Sequence, residues 1–381
     1  MIARFEVLMS SILVILMGLI LFPLFKGNVL YLLPIGISGS WDQTLLKDVR
    51  LILNTGLDEG PNTNMRTTFV VVDKKSLPRL MYADGYTARE TRGNLAKQLT
   101  RVPDTSKNRL VAIGEKMAKN KLVTILDVFY RDPKSALSAK IAIIEGEAKD
   151  FLAREHKHKP NLIVNLDRQV ISAEKATIVP IVNLQSILKL IHDPGQDIVI
   201  PYMGPEDSGG VVKGVALFSN QSLAGFLSDS ESSIYLLLAG QMGKTATFSL
   251  KTKKNKALGS LITLRVYKSK SHMKLTVLHH QAHVDIQVNM QAQVEEFPQN
   301  HLSDEKNVRS LNELISAEMT EEAVKVVQKL QQMNCDALGI GRQLIAFHHD
   351  YWKTLDWDSV YPTIQIDPHV HVKLTRPGII N

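Results

Sequence analysis

Apolar and polar positions alternate with two different periods along this chain, and the places where the period changes mark its elements. Runs rich in β-branched residues predict strands at "TTFVVVD" (Thr67 to Asp73), "RLVAIG" (Arg109 to Gly114) and "AKIAIIEG" (Ala139 to Gly146). Between them, Met117, Leu122, Ile125, Leu126 and Phe129 recur at roughly helical spacing in "EKMAKNKLVTILDVFYRD", and "EAKDFLAREH" reads as a short helix. This order of strand, helix, strand, helix argues for an α/β or α+β first domain. It is expected to end near Pro201 to Gly210, where "PYMGPEDSGG" gathers two prolines and three glycines.

Further on, "VVKGVALFSNQSLAGFLSDSESSIYLLLAG" predicts a strand, a turn at Asn220, a second strand and a helix from Ser230 to Ala239. In "AHVDIQVNMQAQVEEF", Val284, Ile286, Val288, Met290, Ala292 and Val294 share one face while Asp285, Gln287, Asn289 and Gln291 share the other, the pattern of a strand with one wet side. A long helix is predicted in "SLNELISAEMTEEAVKVVQKLQQM". It opens on Ser310 and Glu313 at capping-box spacing and carries Met319, Ala323, Val326, Val327, Leu330 and Met333 along one stripe. The tail alternates again, with Val370, Val372 and Leu374 inward against His369, His371 and Lys373. The expected fold class is α+β (mixed α/β): an N-terminal transmembrane or signal segment, then about three α/β-type domains with mixed and antiparallel sheets. The expected divisions are 1–40 (signal or membrane anchor), 41–205, 206–270 and 271–381.

Val7 to Phe25 departs from all this patterning, with nineteen residues and no charge. At about 1.5 Å per residue such a helix reaches about 28 Å, close to the ~30 Å of a bilayer's hydrocarbon. A second apolar run, Val29 to Ile37, follows Lys26. It is too short to span, but it has the length of a signal-peptide core, with "ISGS" as a cleavage box. Two readings follow: an uncleaved signal anchor, or an extended signal that a peptidase removes. The frame around Gly39 and Ser40 is that of a bacterial lipoprotein cleavage site, with Ser40 where the lipid-bearing Cys would stand. A hydroxyl is a far poorer nucleophile than a thiol near neutral pH, so Ser40 is not expected to carry lipid. A spanning helix holds a protein more firmly than one acyl chain, which favours the uncleaved anchor.

Composition narrows the class. With 44% hydrophobic and 22% charged residues in 381, neither disorder nor a multi-span membrane protein is indicated. The net charge is +7, but the basic residues are dispersed, and the densest run, Lys251 to Lys256, has no interleaved aromatics. Nucleic acid is therefore not an expected partner, and a basic surface near anionic lipid headgroups is the better reading. Cys335 is the single cysteine, which excludes an intramolecular disulfide and a structural Cys-based zinc site.

Candidate chemistry is sparse. Gly243, Lys244 and Thr245 look like the tail of a phosphate-binding loop, but Leu238 stands where its first glycine belongs and an apolar helix precedes it. His369 and His371 share a strand face and could meet His283 across a sheet. That leaves a membrane-anchored metal-dependent hydrolase as a rival reading, against solvated strand-face histidines. No nucleophile elbow or recognisable acidic pair appears, so no catalytic residue, cofactor or metal ligand is expected. "CDALGIGR" (Cys335 to Arg342) reads as a helix break where Gly339 and Gly341 let backbones pack closely.

Taken in order, several stretches resemble the Ger(x)C family, the C subunits of nutrient germinant receptors in spore-forming bacteria. They are "GSWD" (Gly39 to Asp42), "GLD" (Gly56 to Asp58), "GEKMAKNK" (Gly114 to Lys121), "YRDPKSAL" (Tyr130 to Leu137) and "GVALFSNQSLAGFLSDSES" (Gly214 to Ser232). Gln332, "DALGIG" (Asp336 to Gly341), Trp352, Trp357 and "RPG" (Arg376 to Gly378) complete the series. Departures are Ser40 for the lipidated Cys, Leu338 and Ile340 for two aromatics, and a longer leader. The resemblance implies a spore germination protein that is a non-enzymatic subunit on the outer face of the spore inner membrane. It would be built from three α/β-type domains without cofactors, and its partners would be the A and B membrane subunits and membrane lipid. A solute-binding protein is a third possibility.

Overall fold

The structure, a computed structural model, describes residues 48–376 apart from 73–76, 159, 162, 252–260, 280 and 298–304. The apolar leader, Ser40 and the "GSWD" stretch lie outside the described residues.

Strands β1 (Val49–Asp58), β2 (Met65–Val72), β3 (Arg79–Gly85), β4 (Val102–Asp104), β5 (Leu110–Gly114), β6 (Lys140–Ile144), β7 (Val199–Glu206), β8 (Gly209–Ser219) and β9 (Ser222–Ser228) form one mixed sheet. Its order is β3-β2-β1-β5-β6-β7-β8-β9, with β4 beside β1. The centre, β1, β5, β6 and β7, is parallel, and antiparallel pairs flank it on both sides. Helices α1 (Ala88–Ala96), α2 (Glu115–Ala118), α3 (Leu122–Arg131), α4 (Ala148–His158), α5 (Leu166–Lys175), α6 (Leu184–Ile191) and α7 (Asp229–Leu238) accompany it.

The central strands read as continuous apolar runs because both of their faces are buried. Val111, Ile113, Ile141 and Ile143 pack with buried residues of α2, α3 and α6. Leu110, Ala112, Ala142 and Ile144 pack the other way, with α4, α5 and α7. The expected single helix over 115–131 is two, α2 and α3, because the Leu122 N–H donates to Gln221 O of a neighbouring turn (3.0 Å) instead of continuing the first helix. "PYMGPEDSGG", where the first domain is expected to end, forms the β7–β8 hairpin of this sheet. The next turn, Asn220–Gln221, has φ of 49° and 69°, the left-handed pair that a tight two-residue hairpin needs.

A second sheet follows, with β10 (Ala246–Lys251), β11 (Leu261–Leu278), β12 (Gln281–Glu296) and β13 (Gln365–Arg376) in that order. The alternation in β12 is as expected, with Val284 to Val294 buried at every second position. The long helix α8 (Glu305–Gln332) buries Ile315, Met319, Ala323, Val326, Val327 and Leu330. It is already under way at Glu305, so Ser310 and Glu313 sit inside it and form no cap.

Two free sheet edges are closed by helices through one device. The N–H groups of Val370, Val372 and Leu374 on β13 donate to Thr320 Oγ1, Ser316 Oγ and Asn312 Oδ1 of α8, each at 3.0 Å. On the far side of the large sheet, Asn94 of α1 and Gln98, two residues past its end, donate to the Asp84 and Tyr82 carbonyls of β3, at 2.9 and 3.3 Å. The match is geometric. Four helical residues rise about 6.0 Å and two strand residues about 6.6 Å, so polar side chains at i, i+4 meet successive outward-facing backbone groups. An edge left open would invite another chain.

Ser316→Ala leaves the Val372 N–H without its acceptor and is expected to cost about 1–3 kcal/mol in urea unfolding. Glu313→Ala, on the exposed side of the same helix, is expected to stay within about 0.5 kcal/mol. Equal effects would show that the ladder does not hold the edge.

Candidate functional site

The segment 193–197, "DPGQD", and the segment 336–342, "DALGIGR", are far apart in sequence and closely joined in space. Asp197 N–H donates to Asp336 O (3.0 Å), and Asp336 N–H donates to Asp197 Oδ2 (2.8 Å). Arg342 N–H donates to Gly195 O (2.8 Å), Gln196 Nε2 to Ala337 O (3.0 Å), and the Arg342 guanidinium binds the Asp193 carboxylate. This requires glycine on both sides. A Cβ on Gly195 would lie 2.5 Å from Arg342 N, and one on Gly341 would lie 3.1 Å from Gly195 Cα and from the rings of Trp352 and Trp357. Those two indoles meet at 5.2 Å between ring centres, tilted by 53°. The sequence reading of Gly339 and Gly341 as a close-packing break therefore holds, with Gly339 left-handed at φ 73°.

Asp336 also caps the helix that follows, α9 (Ile340–Phe347). Its two oxygens accept from Ile340 N (2.9 Å) and Gly341 N (2.7 Å). Around it, Tyr361 OH donates to Cys335 O at 2.8 Å, and Gln331 Nε2 donates to the Tyr361 and Ile364 carbonyls at 3.2 and 2.7 Å. Sequence reasoning matched Gln332 to the family pattern, but Gln332 is exposed and its neighbour Gln331 makes these contacts.

A second carboxylate does the same at the other end of the chain. Asp58, at the end of β1, accepts from Ala148 N (2.7 Å) and Lys149 N (2.8 Å) at the start of α4. The "GLD" and "GEK" stretches are explained together. A Cβ on Gly56 would lie 2.8 Å from Leu152, and one on Gly114 would lie 2.3 Å from Asp58 Oδ1, so both glycines make room for this cap. Helix N-termini are ready anion sites, and here the chain fills both with its own carboxylates. Burial raises Asp336 to about 7, with Asp197 nearby adding to the rise, and raises Asp58 and Asp197 to about 6. The backbone donors pull each of them back toward ionisation.

The remaining candidates are placed as follows. The N–H groups of Gly243, Lys244 and Thr245 go to Thr177 Oγ1 (3.0 Å) and Lys175 O (2.8 and 3.2 Å), so the residues of a phosphate cradle instead bind the end of α5. His283 Nε2 meets Asp367 Oδ2 at 2.8 Å. The backbone of His283 lies opposite Gln365, four positions from His369 and roughly 13 Å along the strand. His369 and His371 are exposed, and among the described residues no three His, Cys, Asp or Glu side chains converge as a metal-holding group. A cleft lined by Thr55, Leu57, Thr67, Phe69, Arg92 and Phe129 has a volume of about 20 Å³, room for roughly one water. Arg92 beside it is engaged by Asp132 and by Thr105 Oγ1 (3.0 Å). Cys335 is fully buried, and burial pushes its thiol up, away from the reactive thiolate.

Comparison with known proteins adds three findings. Residues 42–205 match the family described as "Spore germination protein N-terminal domain", and residues 213–378 match "Spore germination B3/ GerAC like, C-terminal". The chain is 19% identical over 371 residues to the "Putative spore germination protein YfkR" of Bacillus subtilis (strain 168), covering 92% of this chain and 95% of that protein. The crystal structure of the GerBC protein has a similar fold, with a TM-score of 0.58 at 17% identity over 86% of this chain and 97% of the other.

Gly195→Ala forces a methyl group against backbone and is expected to destabilise the protein by about 1–3 kcal/mol or more in chemical denaturation. Three carboxyls raised above their unfolded value bind protons more tightly in the folded state. Their contribution is complete below about pH 4, and it is lost as pH rises through about 6 to 7. Asp336→Asn is expected to flatten this part of the stability profile, read as Tm between pH 4.5 and 8. An unchanged slope would show that Asp336 does not titrate there.

Proposed function

The chain belongs to the GerAC-like family of spore germination proteins, and from that premise we propose that it serves as the C subunit of a nutrient germinant receptor. In this reading the leader tethers it to the spore inner membrane. The folded part lies on the outer face and works beside A-type and B-type membrane subunits. One observation carries the reading: the stretches that resemble the family lie in its order along nearly the whole chain, and the ones described are engaged in structure. Asp58, Gly114, Asp336 and Gly341 hold helices and loops together, and they do not converge on one reactive centre. A non-enzymatic role is consistent with that use. The metal-hydrolase rival fits less well, since His283 is occupied by Asp367 and stands apart from His369.

A tether and an assembly role predict separate outcomes. Full-length protein is expected to stay in the membrane fraction through high salt and carbonate washing, to take up no fatty-acid probe, and to be released by deletion of residues 1–38. Its recovery in the soluble fraction would contradict the tether. Crosslinking in spores is expected to capture membrane subunits, and deletion of the gene is expected to abolish a nutrient response. An unaltered germination response would contradict the receptor role.

A further inference from the structure

The outer face of the second sheet has no covering element among the described residues, and its side chains are ordered by strand register. Lys268 on β11 stands opposite Gln291 on β12, which stands opposite Lys373 on β13. The next rows are Lys270, Asn289 and His371, then His272, Gln287 and His369. Basic side chains therefore flank a central line of neutral amides, in rows about 6.6 Å apart along the strands and about 10 Å across them. Lys268, Lys270, Lys274 and Lys373 are all exposed, and among the described residues none of them makes an ion pair.

The acidic groups on this face stand toward its ends. Asp285 is opposite Lys274, Asp367 holds His283, and Glu295 holds Arg265 at 2.5 Å. The middle rows contain no carboxylate. Their one aromatic neighbour among the described residues is Tyr267 at the edge of the first row, whose hydroxyl is tied to Thr375 Oγ1 (2.5 Å) and Gln291 Oε1 (3.4 Å). Protein interfaces ordinarily need a dry, apolar centre with a few large anchors. Separated lysines, Lys268, Lys270 and Lys373 with Lys274 beyond them, without such a centre match a surface of dispersed negative charge.

From this register we infer that the outer face of the β10–β13 sheet rests against the anionic headgroups of a lipid bilayer. The inference builds on the proposed tether, which keeps the chain within reach of a membrane. Attraction to such a surface acts over about one Debye length, ~8–10 Å at ordinary salt, so it operates only on a protein already held nearby. The leader would provide residence, and this face would provide orientation.

The test uses the full-length protein reconstituted into vesicles of phosphatidylcholine alone or of phosphatidylcholine with phosphatidylglycerol. An amine-acylating reagent followed by peptide mass spectrometry reads each lysine. In the anionic vesicles, Lys268, Lys270, Lys274 and Lys373 are expected to react several-fold more slowly than in neutral ones, with reactivity restored at high salt. Lys97 and Lys325, on other surfaces, are expected to be unaffected. In the K268E/K270E variant, whose positions are solvated, Lys373 is expected to lose its protection. Equal reactivity of the four lysines in both kinds of vesicle would overturn the inference, and so would protection in neutral vesicles that depends on added membrane subunits. Failure of the protein to float with either vesicle would instead strike the tether.

Discussion

A carboxylate taken out of water is destabilising by several kcal/mol unless its oxygens are met by donors, and this fold is organised around two places where they are. Asp336 is fully buried at the point where the chain leaves its long helix. It gives both oxygens to the backbone of the next turn, while its own N–H and C=O pair with Asp197. That arrangement fixes 193–197 against 336–342 and so joins the start of β7 to the last quarter of the chain. Asp58 performs the corresponding task between β1 and α4. In each place a neighbouring glycine is obligatory, since a single methyl group would displace the carboxylate or the backbone beside it.

The same economy of backbone groups explains the sheet borders. Strand edges with unmet N–H and C=O groups are a ready template for pairing with another chain. Here α8 and α1 lay polar side chains along β13 and β3 at the spacing of the strands. The helix that buries its apolar stripe on the second sheet therefore also closes that sheet's border. It leaves the outward face of the sheet to water, and there the charged and amide side chains are displayed.

For a member of this spore germination family, this division of labour is informative. The residues through which the chain resembles its family are largely engaged in making it rigid, and the candidate ligand positions are small or already occupied. Among the described residues, the outer face of the second sheet is a patterned polar surface open to solvent.

Period and composition determined much of this in advance. The strands β2, β5 and β6 follow from their β-branched runs, and β12, β13, the long helix α8, the wet side of β12 and the outward histidines follow from spacing of two or about 3.6, because local alternation must match which side of an element is dry. The family, too, was legible, since its short stretches keep their order along the chain. What tertiary structure decided is whatever depends on partners distant in sequence. The two-helix break at Lys119 to Lys121 comes from a hairpin turn about a hundred residues away, the "PYMGPEDSGG" stretch became part of a continuous sheet, and Gln331 rather than Gln332 found acceptors. The family stretches mark Asp58 and Asp336, but nothing in their local pattern gives their roles. Their roles arise only where folding brings a helix start or a second loop to them, because a hydrogen bond's geometry is set by the whole chain's path and not by its neighbours in line.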